Sequence, residues 1–208
     1  MTLRVLGRTT SINVRKVLWT ADELRLAYER EDWGKPLRDP HEPEFLALNP
    51  NAQVPVIVED GFVLWESHAI MRYLAETHPS GGLLPADARE RAVVDQWLTW
   101  QATELNPTWN YAFRALARKL PGYDDPARVA ESSRRWAEKM AILEAQLQGT
   151  GAFAAGDVFS LADISLGLSV HRWFKTPIER PELPAVAAYY ERLGARSHGA
   201  TWMPPDVA

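Results

Sequence analysis

The segment around Val54-Pro55 has the residue types of a surface that binds an extended peptide. Pro55 begins a short apolar run. Because proline cannot donate a backbone hydrogen bond to a sheet, we expect it at an edge or bulge, where the Val54-Pro55 bond can be cis. Val54 then keeps an unpaired backbone N–H and C=O facing outward. Groups of this kind can pair with an extended peptide as an added strand.

Further along the chain, Glu66-Ser67 stands at the start of a helix pattern with Ile70 and Leu74 on one apolar face. The first amides of a helix have no partners within it, and they attract a carboxylate. Together with the Val54 backbone, this pair predicts a site for a small peptide-like anion.

The elements that must position these residues are predicted to form a mixed sheet with helices packed on it. Two apolar runs flank Asp60-Gly61, which is the strongest local signal of a hairpin. A strand is expected before Gly7, a helix from about Ser11, and a further strand over Tyr28–Glu31. The order strand-helix-strand, then strand-strand-helix, is typical of such a sheet.

Beyond residue 78 the pattern becomes almost entirely helical. Residues 79–86, rich in Pro and Gly, predict a linker between a domain of residues 1–78 and an all-helical domain of residues 87–208. Pro107 is expected to kink or restart a long helix. Ser160 and Asp163 match a capping box, which we assign to structure rather than to catalysis. The predicted fold class is therefore α+β, with an α/β domain followed by an all-α bundle.

The absence of cysteine limits the chemistry more than any other count. It excludes disulfides, thiolate metal sites and a protein-thiol nucleophile, so any sulfur chemistry must use a thiol that the ligand brings. The five histidines are too scattered for a helix-spaced ligand pair, so no metal is expected. A net charge of −4 without a basic stripe argues against nucleic acid and membrane partners. No apolar run reaches membrane-spanning length, so a cytoplasmic location is the default expectation.

Four motifs, in this order and at these separations, resemble those of the cytosolic glutathione S-transferases, and the resemblance covers essentially the whole chain. The motifs are Ser11-Ile12-Asn13-Val14-Arg15-Lys16-Val17, Asn49-Pro50 with Val54-Pro55, Glu66-Ser67-His68-Ala69-Ile70, and Ser160-Leu161-Ala162-Asp163. The serine of the first motif is similar to that of the serine-type bacterial and theta-like members. The resemblance implies a thioredoxin-like first domain with a mixed four-stranded sheet, glutathione as co-substrate, and a homodimer.

The resemblance also implies roles for residues of the first domain. Val54, next to Pro55, would pair its backbone with the cysteinyl part of glutathione. Glu66 would face the ammonium group and Ser67 the carboxylate of the γ-glutamyl end. The residues expected near the glycyl carboxylate or the neighbouring backbone are Lys35, His41 and Gln53.

Ser11 is the residue that we expect to activate the thiol. A hydroxyl hydrogen bond to the sulfur, at the start of a helix, stabilises the thiolate. Asn13 supplies a possible second donor, and the sequence leaves open which of the two contributes more. Taken alone, Ser11 would be an ordinary helix N-cap, and the surrounding motif favours the functional role.

A pocket for an apolar electrophile is expected beside the thiol. Its predicted residues are Ile12, Trp109, Phe113 and Trp173. For each aromatic residue, packing in the core is the alternative.

These inferences predict a glutathione transferase whose bound thiolate attacks an apolar electrophile, with glutathione-dependent peroxide reduction as a further activity. The alternative is a non-catalytic ligand-binding or protein-interaction module of the same fold, because fold does not establish function. A thiol-disulfide reductase or dehydroascorbate reductase that uses a protein cysteine is excluded by the composition.

Overall fold

The computed structural model describes residues 3–205, apart from the side chain of Ser80. The chain divides between Leu84 and Pro85 into two compact units. This division falls within the predicted linker, residues 79–86, which also contains a short 3₁₀ turn at Pro79–Gly81. No helix in the described part of the chain is long and apolar enough to cross a membrane.

The first unit is built on a four-stranded sheet with three helices. Its elements are β1 (Leu3–Leu6), α1 (Ile12–Glu23), β2 (Tyr28–Glu31), α2 (Pro43–Leu46), β3 (Val56–Glu59), β4 (Phe62–Trp65) and α3 (Ser67–Thr77). The strand order is β2-β1-β3-β4. β1 is parallel to β2 and antiparallel to β3, and β3 is antiparallel to β4. The predicted mixed sheet is confirmed.

The hairpin at Asp60-Gly61 is formed as the sequence predicts. Glu59 pairs with Phe62, so Asp60 and Gly61 alone make the turn, with φ angles of 48° and 86°. Two successive positive φ angles match the twist of the flanking strands, and glycine adopts such an angle without strain. This tight turn sets the register of β4 against β3.

The sheet has a buried apolar cluster on one face. Leu6 and Val56, which pair across β1 and β3, pack there with Trp33 and Phe45. The rings of Trp33 and Phe45 lie 4.9 Å apart between centroids. The cluster anchors the segment that follows β2 to the end of β1 and the start of β3.

The second unit is built from helices. They are α4 (Ala88–Trp100), α5 (Asn106–Ala112), α6 (Pro126–Thr150), α7 (Leu161–Lys175), α8 (Pro184–Gly194) and α9 (Ser197–Trp202). Every residue of α7 from Leu161 to Trp173 is buried, which makes it the central helix of the unit.

The long helix restarts at Pro107, as the sequence predicts, and it does so without leaving a helical conformation. α4 continues into α5 through a π-helical segment, Gln101–Leu105, and Pro107 lies in the first turn of α5. A second π-helical segment, Phe113–Ala117, follows α5. The wider turn accommodates a proline ring that would otherwise clash with the carbonyl four residues earlier.

A buried carboxylate, Asp163, links three segments of the second unit. One of its oxygens accepts hydrogen bonds from the Ser160 backbone N–H (2.9 Å) and hydroxyl (3.1 Å). The other accepts from the Ala154 N–H (2.9 Å) and the Tyr189 hydroxyl (2.8 Å). The predicted capping box is confirmed. Burial raises the pKa of Asp163, while these donors act in the opposite direction.

A second carboxylate caps a helix from a distance. α8 has no side-chain cap of its own, and Glu144 of α6 accepts from the N–H groups of Ala185 (3.0 Å) and Val186 (2.8 Å). A negative charge is stabilising at a helix N-terminus. Glu144 therefore fixes the start of α8 against α6.

Replacement of Asp163 by alanine tests the structural role of this carboxylate. The change leaves buried donors of Ser160, Ala154 and Tyr189 without acceptors, each at a cost of about 1–3 kcal/mol. We expect the Asp163→Ala variant to lose about 3 kcal/mol or more of unfolding free energy in urea denaturation. The exposed Asp157→Ala variant is the control, and equal losses in both variants would contradict this role.

Candidate functional site

Four strand ends of the first unit meet at one end of the sheet. Leu6, the last residue of β1, pairs with Glu31 at the end of β2 and with Val56 at the start of β3. Val56 in turn pairs with Trp65 at the end of β4. The segments that leave these ends carry all the ligand-binding and thiol-activating residues predicted for the first domain. With a spacing of about 4.8 Å between strands, the four ends span about 14 Å, enough for an extended tripeptide of about 10 Å.

The Val54-Pro55 peptide bond is cis, and Pro55 is buried. Val54 is partly buried and packs against the apolar cluster of β1 and β3. Within residues 3–205, neither the N–H nor the C=O of Val54 has a hydrogen-bond partner. A backbone donor and acceptor are thus presented side by side at the middle of the strand ends.

Asn49 holds the loop that carries Val54. It is 2% exposed. Its Nδ2 donates to the Gln53 carbonyl (2.8 Å), and its Oδ1 accepts from the Asn51 N–H (3.0 Å). Asn49 belongs to one of the four motifs, but its sequence context predicts no role for it. The sequence pattern that could have indicated this role is an asparagine before a proline, and this pattern is also common in ordinary turns.

Gly7 brings the end of β1 against the same loop. A Cβ on Gly7 would lie 2.4 Å from Cγ2 of Val14 and 3.3 Å from Cβ of Val54. Only glycine therefore allows the first turns of α1 and the Val54 loop to approach so closely. The sequence predicts Gly7 only as a strand end and does not predict this contact.

Ser11 occupies the N-cap position of α1, and its hydroxyl does not cap the helix. Its carbonyl accepts from the Arg15 N–H at 3.0 Å, as an N-cap carbonyl should. The hydroxyl is partly buried and has no hydrogen-bond partner among the described groups, and the same holds for the amide of Asn13. The N-cap reading of Ser11 is correct for its backbone, while its side chain stays available for a ligand.

The Glu66-Ser67 pair stands where β4 turns into α3. Glu66 is the exposed N-cap residue with φ 75° and ψ 113°, and Ser67 is buried as the first residue of α3. A positive φ at a residue other than glycine costs roughly 1–3 kcal/mol and is held by its surroundings. No side chain caps α3. The uncapped first amides of α3 therefore lie at the same strand end as Val54.

His68 follows this pair and stays neutral. Its Nε2 lies 3.2 Å from Nζ of the buried Lys16. Burial, and then the positive charges of Lys16 and Arg72, lower the pKa of His68 to about 2. His68 is a satisfied histidine and not an acid–base group.

Lys35 and His41 are both exposed and both contact Asp39. Lys35 Nζ lies 3.1 Å from Oδ2 of Asp39, and His41 Nδ1 lies 2.9 Å from Oδ1. Hydrogen bonds from the His41 backbone and side chain, and then from Lys35, hold the pKa of Asp39 well below its usual range. An ionised carboxylate thus occupies the two groups expected near the glycyl carboxylate. Gln53 is exposed on the adjacent loop.

The predicted pocket residues lie in separate environments. Ile12 is buried at the start of α1. Trp109 is partly buried and packs edge-on against the buried Phe113, with ring centroids 5.5 Å apart. Trp173 is buried in the same helical unit. Trp136 joins the two parts of this cluster, 6.2 Å from Trp109 and 5.0 Å from Trp173 between centroids.

Arg172 adds a charge that the sequence does not predict here. Its guanidinium carbon lies 4.4 Å from the Trp109 ring centroid and 4.0 Å from that of Phe113. Aromatic faces attract such a cation. Among residues 3–205, no cluster of three or more His, Asp or Glu side chains is placed to hold a metal.

Comparisons with known proteins match both units of the chain. Residues 10–77 match the family described as glutathione S-transferase, N-terminal domain, and residues 126–192 match the glutathione S-transferase, C-terminal domain. The chain is 32% identical over 192 residues to glutathione S-transferase GstB of Escherichia coli strain K12, covering 91% of this chain and 92% of that protein.

Two further similarities extend this result. Disulfide-bond oxidoreductase YfcG of Escherichia coli strain K12 is 32% identical over 195 residues, covering 88% of this chain and 86% of that protein. The crystal structure of the theta class glutathione S-transferase from Xanthomonas axonopodis pv. citri with glutathione bound superimposes with a TM-score of 0.91. It is 36% identical and covers 97% of both chains.

The depressed pKa of His68 makes stability depend on pH. Unfolded, the imidazole binds a proton at its ordinary pKa of 6.5, while the folded protein resists protonation down to about 2. The stabilisation is therefore complete above the unfolded pKa and is lost as pH falls below it. Between about pH 7 and pH 5, we expect this group to remove about 2 kcal/mol of unfolding free energy.

Urea denaturation at both pH values checks this expectation. The His68→Gln variant should show a drop that is smaller by about 2 kcal/mol, because glutamine does not titrate. The exposed His41→Gln variant controls for the loss of a histidine. A His68→Gln variant with the full wild-type drop would show that the depressed pKa is wrong.

Proposed function

Because this chain belongs to the glutathione S-transferase family, we propose that the strand ends of its first unit bind glutathione and activate its thiol. The protein is a glutathione transferase, with glutathione as its co-substrate. Its first unit has the thioredoxin-like fold of the family, followed by the all-α unit. The non-catalytic alternative loses its support, because the matching relatives are enzymes by name.

Glutathione would lie across the strand ends in an extended form. In this proposal the Val54 backbone pairs with the cysteinyl residue, beside cis-Pro55. Glu66 meets the γ-glutamyl ammonium group, and Ser67 with the first amides of α3 meets its carboxylate. The main support is that the Val54 N–H and C=O have no partner in the described part of the chain.

The thiol would then lie near the start of α1. Gly7 supports this, because it brings β1 and the Val54 loop into close contact ahead of Ser11. The Ser11 hydroxyl and the Asn13 amide donate to the sulfur and stabilise its anion. The thiol proton passes to solvent. The sulfur lone pair attacks the electrophilic carbon to form a C–S bond, and the leaving group departs with the electrons of the bond that breaks.

The magnitude of one such hydrogen bond is sufficient for activation. A hydrogen bond to a charged group contributes roughly 1.5–3 kcal/mol. One pKa unit corresponds to about 1.4 kcal/mol, so the thiol pKa falls by about one to two units. A thiol of ordinary pKa near 8.5 is only a few per cent ionised at neutral pH. After this shift, a large fraction is thiolate.

A second activity of the same site is peroxide reduction. The similarity to a disulfide-bond oxidoreductase favours it, because that name describes thiol chemistry. The activated sulfur attacks the peroxide O–O bond, an alcohol leaves, and the resulting glutathione sulfenic acid reacts with a second glutathione to give the disulfide and water. Glutathione supplies both electrons, so a chain without cysteine can perform it.

Other inferences from the sequence and from the resemblance stay predictions. They are the electrophile pocket of Ile12, Trp109, Phe113 and Trp173, the contacts of Lys35, His41 and Gln53 with glutathione, the domain boundaries at residues 78 and 87, the homodimer, and the cytoplasmic location.

Removing the two sulfur donors tests the proposed activation. We expect the thiol pKa of bound glutathione, followed by thiolate absorbance, to rise by about one to two units in a Ser11→Ala, Asn13→Ala double variant. Turnover of a halogenated nitrobenzene at neutral pH should fall about tenfold or more. The single variants show which donor contributes more. Folding should be retained, because the Ser11 side chain does not cap α1.

The control is Thr9→Ala in the same loop, at an exposed position. It should leave both quantities unchanged. A double variant with the wild-type thiol pKa and full turnover would reject Ser11 and Asn13 as the activating groups.

A further inference from the structure

Arg8 is a cation of the first unit that no carboxylate in residues 3–205 pairs with. Several other basic side chains of this unit are paired with acids. Arg4 pairs with Glu31 at 2.6 Å, and Lys35 with Asp39 at 3.1 Å. Arg8 is partly buried, whereas arginine side chains are mostly exposed and are rarely buried without a partner.

The position of Arg8 places it in the proposed site. It follows β1 at the end of the sheet where the four strand ends meet. Its N–H donates to the Trp33 carbonyl (2.9 Å), and its carbonyl accepts from the Ser11 N–H (3.1 Å). The backbone of Arg8 thus ties the Ser11 turn to the segment after β2.

The side chain of Arg8 is held in place before any ligand arrives. It lies across Gly34, where a Cβ would come within 3.3 Å of the Arg8 Cδ and where φ is 102°. Nη1 donates to the Lys35 carbonyl. Nε is buried and has no hydrogen-bond partner within the described chain. A buried donor without an acceptor is costly, so a function is expected for it.

The residues expected to hold an anion here are already occupied. Asp39 stays ionised and contacts both Lys35 and His41. The charge of Lys35 is therefore balanced by the protein itself. Arg8 is left as the uncompensated positive charge on the β2 side of Val54.

We propose that Arg8 binds a carboxylate of a molecule in this site. The inference rests on the proposed function and adds a residue that determines which ligands bind. The strand order favours the glycyl carboxylate of glutathione. With the γ-glutamyl end at Glu66-Ser67 after β4, an extended tripeptide of about 10 Å directs its other end toward β1 and β2. An acidic group on the electrophile is the other source of the same chemistry.

Steady-state kinetics of Arg8→Gln and Arg8→Lys variants test this assignment. The control is Arg25→Gln, because Arg25 is exposed, lacks an acidic partner among the described residues, and precedes β2 at the opposite end of the sheet. Each protein is assayed with glutathione and with its glycyl ethyl ester. The electrophiles are a neutral chlorodinitrobenzene and an acidic chloronitrobenzoate.

We expect Arg8→Gln to raise the KM for glutathione about tenfold or more, which is the loss of one charged hydrogen bond. Arg8→Lys should recover part of that loss. The wild type should have a KM for the ester that is higher than its KM for glutathione by a similar factor. The KM for the ester should be the same in Arg8→Gln and the wild type. If the electrophile supplies the carboxylate, only the KM for chloronitrobenzoate rises, and Arg8 is still the anion-binding residue.

Kinetics of Arg8→Gln that match Arg25→Gln for all four substrates would overturn the assignment. Circular dichroism checks the fold of each variant. If Arg8→Gln does not fold, two other results together would overturn the assignment. The first is a wild type with equal KM values for glutathione and for its ester. The second is an Arg8→Lys variant with the same ratio of KM values for the two electrophiles as the wild type. A wild type without glutathione-dependent turnover would instead contradict the proposed function itself.

Discussion

The pairing of Leu6 with Val56, and of Val56 with Trp65, is the constraint on which the site depends. It aligns the ends of β1 and β4 with the start of β3, so that loops far apart in sequence leave the sheet together. A slip of β3 by one residue would turn its buried side chains to the other face and displace Val54. The tight turn at Asp60-Gly61 and the apolar cluster around Leu6 both oppose such a slip.

Polar groups at this strand end differ in their hydrogen bonding from the buried carboxylates of the helical unit. The buried carboxylates of the helical unit, Asp163 and Glu144, are fully engaged by backbone and hydroxyl donors. At the strand end, the described structure leaves the Ser11 hydroxyl and the Val54 backbone without partners. Buried or partly buried polar groups normally find partners, so groups left in this way mark the place where a ligand completes the structure.

Local patterns in the sequence predicted the parts of the fold that local interactions determine. The hairpin, the capping box of Asp163 and the helix start at Ser11 each follow from a few adjacent residues. The resemblance of motifs along the whole chain predicted a serine-type glutathione transferase. The contacts that sequence could not predict join distant segments. The approach of Gly7 to Val54 depends on the tertiary fold, as does the capping of α8 by Glu144. The same holds for Asp39: its acidity is visible in the sequence, whereas its contact with both Lys35 and His41 is not.

A crystal structure of the protein crystallised with excess reduced glutathione tests the central claim most directly. The account predicts that the cysteinyl N–H and C=O of the ligand both pair with the Val54 backbone at about 2.9 Å. Its sulfur should lie within hydrogen-bond distance of the Ser11 hydroxyl or the Asn13 amide. A ligand bound elsewhere, or with its sulfur directed away from both donors, would contradict the account.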